Sequence, residues 1–147
     1  MKKFLFIPTI IGLFFLMSSQ AQAQNIFTNK NNIAVNGYDV VSYFSGKPIA
    51  GKADITVTHE GAIFQFASVE NKEKFVANTK KYTPQYGGWC AFGWAGGYPA
   101  KTEPEAWSIV DGKLYLNYDK KVKSTWDKDQ QGYIKKADTN WANRKPR

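Results

Sequence analysis

Asp111-Gly112 stands between two short runs of β-forming residues, Trp107-Ser-Ile-Val and Lys113-Leu-Tyr-Leu-Asn-Tyr. A two-residue connection of this kind needs both central residues at positive φ. Asp-Gly tolerates that conformation, so the stretch is predicted to close as an antiparallel hairpin on a type I′ turn. The same logic applies upstream, where Ile55-Thr-Val-Thr and Ala62-Ile-Phe-Gln-Phe-Ala flank His59-Glu60-Gly61. Ile55 and Val57 alternate with polar residues, as do Phe64 and Phe66, which is the period of a half-buried strand. Gly61 supplies the positive φ of that turn. Strands and helical stretches are mixed without regular alternation, so the expected class is α+β: two antiparallel β-hairpins packed with a short helix, a Gly/aromatic-rich segment and C-terminal helices.

The helical stretches are read from caps and stripes. Ser68 is a good N-cap, with Glu70 in the first turn favourable to the helix dipole. Val69, Lys72, Phe75 and Val76 fall on one stripe, which predicts that Phe75 and Val69 pack on the first hairpin. The helix is expected to stop before Thr83-Pro84, because a residue preceding proline avoids the α region. Val122 and Trp126 share one helical face, and Ile134, Ala137 and Trp141 repeat the pattern on a last helix with Gly132 near its start. Asp39 to Phe44 is β-branched and aromatic and reads as an extended segment, followed by a turn over Gly46 to Gly51. Residues 84–99, PQYGGWCAFGWAGGYP, alternate glycines with bulky rings, a composition suited to crowded packing. A short irregular helix over Tyr86 to Ala95 is expected there, against the low propensity of its three glycines.

The first 23 residues have the three parts of an export signal: Lys2-Lys3, an apolar stretch from Phe4 to Met17, and Ala21-Gln22-Ala23. Fourteen apolar residues interrupted by Pro8 and Gly12 are too short for a comfortable bilayer crossing. The expectation is a cleaved signal peptide over 1–23, a flexible lead-in over 24–32 and one domain over 33–143, working in a periplasmic or secreted setting. The tail from Arg144 is expected to fray. The chain has 147 residues and a net charge of +8. Beyond the signal, residues 24–112 carry 8 Lys against 8 acids, and residues 113–147 carry 10 Lys and Arg against 4 Asp. That cationic end is either a solvated helical face or a surface drawn to anionic envelope polymer or lipid; nucleic acid is not an expected partner of an exported protein.

One Cys and one His limit the chemistry further. They exclude an internal disulfide, a four-Cys zinc site and an iron–sulfur cluster. Both methionines lie in the predicted signal, so the soft donors of the mature chain are Cys90 and His59. A blue-copper centre, which needs two His and a Cys, is excluded as well.

Several ordered motifs then carry a resemblance. They are Asn36-Gly-Tyr-Asp-Val-Val-Ser-Tyr-Phe; Glu60-Gly with Phe64-Gln-Phe-Ala-Ser, Asn71 and Phe75; Tyr82 with Pro84-Gln-Tyr-Gly-Gly-Trp-Cys-Ala; Asp111-Gly-Lys-Leu-Tyr-Leu-Asn-Tyr with Trp126; and Ala137-Asp with Asn140-Trp141. Together they resemble the exported YHS-domain proteins of bacteria, over residues 33–141. The wider YHS group implies small metal-binding modules attached to copper-transporting pumps and similar proteins, with cysteines around a hairpin and the following helix as ligands. In place of a Cys-Gly-Met start this chain has Asn36-Gly37-Tyr38. In place of a Phe-Cys-Ser-x-x-Cys run it has Phe66-Ala67-Ser68-Val69-Glu70-Asn71. That ligand set does not carry over residue by residue, and the resemblance assigns no role to Cys90.

Three readings of Cys90 stay open from sequence: an inert core residue, a metal ligand or a reactive thiol. His59 is either an exposed turn residue or the partner of Cys90 in a labile Cu(I) site, since that ion accepts few soft donors. No paired titratable groups suggest an enzyme. The glycine pairs lack the Lys-Ser/Thr of a phosphate loop. The expectation is an exported, non-enzymatic binding module for a soft metal, copper first, through Cys90 and His59. Two alternatives accompany it. One is an apolar pocket with Tyr86, Trp89 and Trp94 in its wall, able to hold a small molecule. The other is a cationic interaction surface over residues 113–147.

Overall fold

Glu60 and Gly61 both hold positive φ, 49° and 78°, and close the first hairpin as a type I′ turn. The structure, a computed structural model, describes residues 25–145, so the predicted signal over 1–23 lies outside the described residues. In that hairpin β1 (Lys52–His59) pairs antiparallel with β2 (Ala62–Phe66), Val57 lying opposite Phe64 and His59 opposite Ala62. Ala62, Phe64 and Phe66 are buried while Ile63 and Gln65 between them are half-buried, as the period-2 pattern predicts.

α1 (Val69–Ala77) starts where the Ser68 Oγ accepts the Asn71 N–H at 3.1 Å, the predicted cap. Phe75 is fully buried, its ring 5.0 Å from that of Phe64 and 5.1 Å from that of Phe66. Val69 departs from expectation: it is 59% exposed. The face that docks is set by Asn71 and Phe75, one turn apart, because Asn71 is held by a buried carboxylate. A single turn, α2 (Thr79–Tyr82), follows and ends before Pro84 as predicted.

That carboxylate is Asp39. The extended segment predicted over Asp39 to Phe44 does not form. Asp39 Oδ1 accepts the N–H groups of Val41 at 2.9 Å and Ser42 at 3.3 Å, which folds the chain into the 3-10 turn Ser42–Ser45. A short acceptor side chain bonding its own backbone outcompetes a strand ladder. Oδ2 accepts from the Ala67 N–H at 2.9 Å and the Asn71 side-chain amide at 2.8 Å.

The Gly/aromatic segment also differs from a continuous helix. Tyr86, Gly87 and Gly88 have φ of 57°, 62° and 86°, so a 3-10 turn at Gln85–Gly88 is separated from α3 (Ala91–Ala95). Gly87 is required: a Cβ there would run into the Asn25 carbonyl. That close approach docks the segment from Asn25 to Thr28. Phe27 N–H donates to Gly87 O at 2.9 Å, Thr28 bridges Ala34, and Ile26 is 3% exposed in the core. The described part of the lead-in carries an apolar anchor and backbone bonds to the rest of the fold.

β3 (Trp107–Val110) and β4 (Lys113–Leu116) form the second hairpin, with Asp111 and Gly112 at φ 51° and 72°. β4 is buried on both faces. Leu114 and Leu116 enter a cluster with Phe64, Phe66 and Phe75, while Tyr115 between them enters a second cluster with Tyr86, Trp94 and Trp126. α4 (Lys120–Asp127) and α5 (Gln130–Ala142) are capped by Asp119 and Asp129, and bring Trp126 and Ala137 into that second cluster. α3 packs against α5. Among the described residues no helix is long and apolar enough to cross a membrane.

Asp39→Asn keeps the shape but sets an NH₂ against a donor. We expect a loss of about 2–4 kcal/mol, from broken bonds and a buried unpaired group. A lower urea midpoint at unchanged slope would record it; an unchanged midpoint would show that the two bonds lost to the amide contribute nothing.

Candidate functional site

Three tryptophans distant in sequence meet at one cavity. Trp89 follows the left-handed Tyr86–Gly88 turn, Trp94 lies on α3, and Trp141 lies on α5. Together with Glu60, Gly61 and Ala62 of the hairpin turn they line an open cavity of about 490 Å³. Asn25 and Ile26 complete the wall between. The volume lies within the range of small-molecule sites, which run from about 300 to 1,000 Å³.

Each ring is positioned by identifiable bonds. Trp94 and Trp141 meet edge to face, with centroids 5.1 Å apart and planes at 82°. Trp89 packs against Phe27 at 4.8 Å. The Asn140 side-chain amide donates to Trp94 O at 2.9 Å and Ala95 O at 3.2 Å, tying the end of α3 to α5. Trp94 is only 8% exposed, and its indole Nε1 has no hydrogen-bond partner among the described residues.

Arg144 belongs to this wall and not to a fraying tail. Its guanidinium lies 3.6 Å from the Trp141 ring centroid. Nη1 donates to Trp141 O at 2.7 Å and Nη2 to Asn25 Oδ1 at 2.8 Å, while Nε is unpartnered among the described residues. Both acceptors are neutral. The ion pairs among the described residues are Lys74–Glu70 and Lys123–Asp127, and Arg144 has no carboxylate partner among the described residues. A second cavity of about 420 Å³ adjoins the first and shares Asn25, Ile26, Glu60, Trp141 and Arg144 with it.

Of the residues singled out from sequence, Trp89 and Trp94 line the first cavity. Tyr86 lines the second and is otherwise a core residue: its hydroxyl donates to Asp138 Oδ1 at 2.8 Å. Burial, and then that bond, hold the phenol well above its ordinary pKa. His59 also borders the second cavity, its ring resting on Phe64 at 6.0 Å and Phe75 at 5.7 Å.

Cys90 is sealed, 1% exposed. It caps α3, its Sγ accepting the Gly93 N–H at 3.4 Å, and it donates to Asn117 Oδ1 at 3.6 Å. The same oxygen accepts the Phe92 N–H at 3.0 Å. Burial pushes the thiol pKa up, against smaller opposing contributions from backbone N–H groups. His59 sits on the first cluster and Cys90 caps a helix of the second, and no hydrogen bond joins them. No group of three or more His, Cys, Asp and Glu among the described residues is arranged to hold a metal ion.

Trp141, Arg144 and Glu60 escaped assignment to a site. Trp141 carried only the signal of a helix face, Glu60 that of a turn, and Arg144 that of a basic tail. No family model, curated protein or solved structure matches the chain.

Native Cys90 should resist Ellman's reagent and react fully once the protein is unfolded; complete reaction of native protein during mixing would show an open path to the sulfur. The folded thiol pKa is raised above the ordinary 9.0. Its contribution to stability is therefore complete below that value and lost as pH climbs through the folded pKa. Cys90→Ala should flatten this alkaline fall in the urea midpoint.

Proposed function

We propose that this chain is an exported, single-domain, non-enzymatic binding protein that holds a small molecule with a flat apolar body in the tryptophan cavity. One observation carries the reading: Trp89, Trp94 and Trp141, contributed by three separate pieces of chain, border the same space of about 490 Å³. Large rings give much contact area at little entropic cost, and concave sites lined by them with a few polar groups suit flat ligands. The exported setting rests on the sequence of residues 1–23, and the resemblance to exported YHS-domain proteins is kept as part of the proposal. In this reading the family's ligand cysteines have been replaced and the aromatic cavity is the binding feature. Soft-metal binding through Cys90 and His59 is not favoured. It would require the sealed thiol to leave Asn117 and the imidazole to leave Phe64 and Phe75.

The neutral probe naphthalene-2-carboxamide tests this reading. Saturable quenching of tryptophan fluorescence is expected, with at least tenfold weaker binding in Trp89→Ala, which removes a half-buried ring and leaves the fold intact by circular dichroism. Equal affinity in the two proteins, or no saturable binding, would overturn the proposal.

A further inference from the structure

Resting on the cavity reading above, we infer that the ligand is a monoanion: a flat apolar body bearing one carboxylate, which Arg144 receives. The charged residues lining the cavity are Glu60, Arg144 and Lys145, one negative against two positive. Arg144 is the informative member. A long cationic side chain normally samples many rotamers, but here stacking on Trp141 and two short hydrogen bonds hold it in one arrangement. A partly buried charge satisfied only by neutral oxygens is costly, and an incoming anion offsets that cost. Because the side chain is ordered in advance, its immobilisation is not charged against binding.

The chemistry of the fork points the same way. A guanidinium has five N–H donors; Arg144 commits one from each terminal nitrogen to Trp141 O and Asn25 Oδ1, which leaves each of those nitrogens a second N–H beyond these bonds. A planar fork with unused donors matches a carboxylate better than any single-point acceptor. A cationic ligand is disfavoured even though tryptophan faces attract cations, because the Trp141 ring already carries the Arg144 guanidinium. Glu60, on the hairpin side, opposes a second negative charge. Arg144 lines both cavities, so the carboxylate is placed at their shared border and the apolar body among the tryptophans.

The test compares three probes of one shape on the full chain by calorimetry: naphthalene-2-carboxylate, naphthalene-2-carboxamide and 2-naphthyltrimethylammonium. The wild-type protein should bind the carboxylate at least tenfold more tightly than the carboxamide, and the ammonium most weakly. Arg144→Gln should erase the gap between carboxylate and carboxamide, and Arg144→Lys should restore part of it. Raising salt on the wild-type protein should weaken the carboxylate alone, a readout that needs no variant. Equal binding of carboxylate and carboxamide, or a gap that survives Arg144→Gln, would overturn the charge assignment while leaving the cavity reading standing. Failure of all three probes to bind would overturn both.

Discussion

A carboxylate without a counter-charge lies at the centre of this fold. Asp39 is fully buried, and its two oxygens accept four N–H bonds from three places: its own turn at Val41 and Ser42, the end of β2 at Ala67, and α1 at Asn71. Burying an ion is tolerable only when donors replace the water it has lost, and here the backbone supplies three of the four. The arrangement fixes where the first hairpin ends, which face α1 turns inward, and how the 3-10 turn sits against both. The hairpin turn that walls the cavity is therefore set by a residue remote from it.

β4 is the second organising element. Its alternation sends Leu114 and Leu116 to one cluster and Tyr115 to the other, so a four-residue strand separates and joins two apolar cores. Asn117 at its end continues the role, accepting from Phe92 N–H and Cys90 Sγ and so holding the start of α3. The thiol that draws attention in the sequence is in this setting a capping and packing group. The cavity appears where Asn25 and Arg144, far apart in sequence, are hydrogen-bonded beside the second cluster.

How much of this was legible depended on the range of the interactions. The two hairpins, the Ser68 cap and the stop before Pro84 follow from neighbouring residues and were readable. Val69 was misplaced because a hydrophobic stripe does not say which polar residue will be anchored; Asn71 faces inward because Asp39, far upstream, accepts from it. Trp89 and Trp94 were recognisable as members of an aromatic wall. Trp141 and Arg144 were not, because the spacing of a last helix and its tail carries no mark of the distant segment at Asn25 that they meet.

Class, turn positions, the α1 cap and the poverty of soft metal donors were decided by the amino-acid order itself, since turn φ angles, capping and residue inventory are local or compositional properties. The sealing of Cys90, the seating of His59 on Phe64 and Phe75, and the gathering of three tryptophans and Arg144 around one space were decided by tertiary packing alone. Those features depend on which surfaces are desolvated together, and that is settled only when segments as distant as Asn25 and Arg144 come into contact.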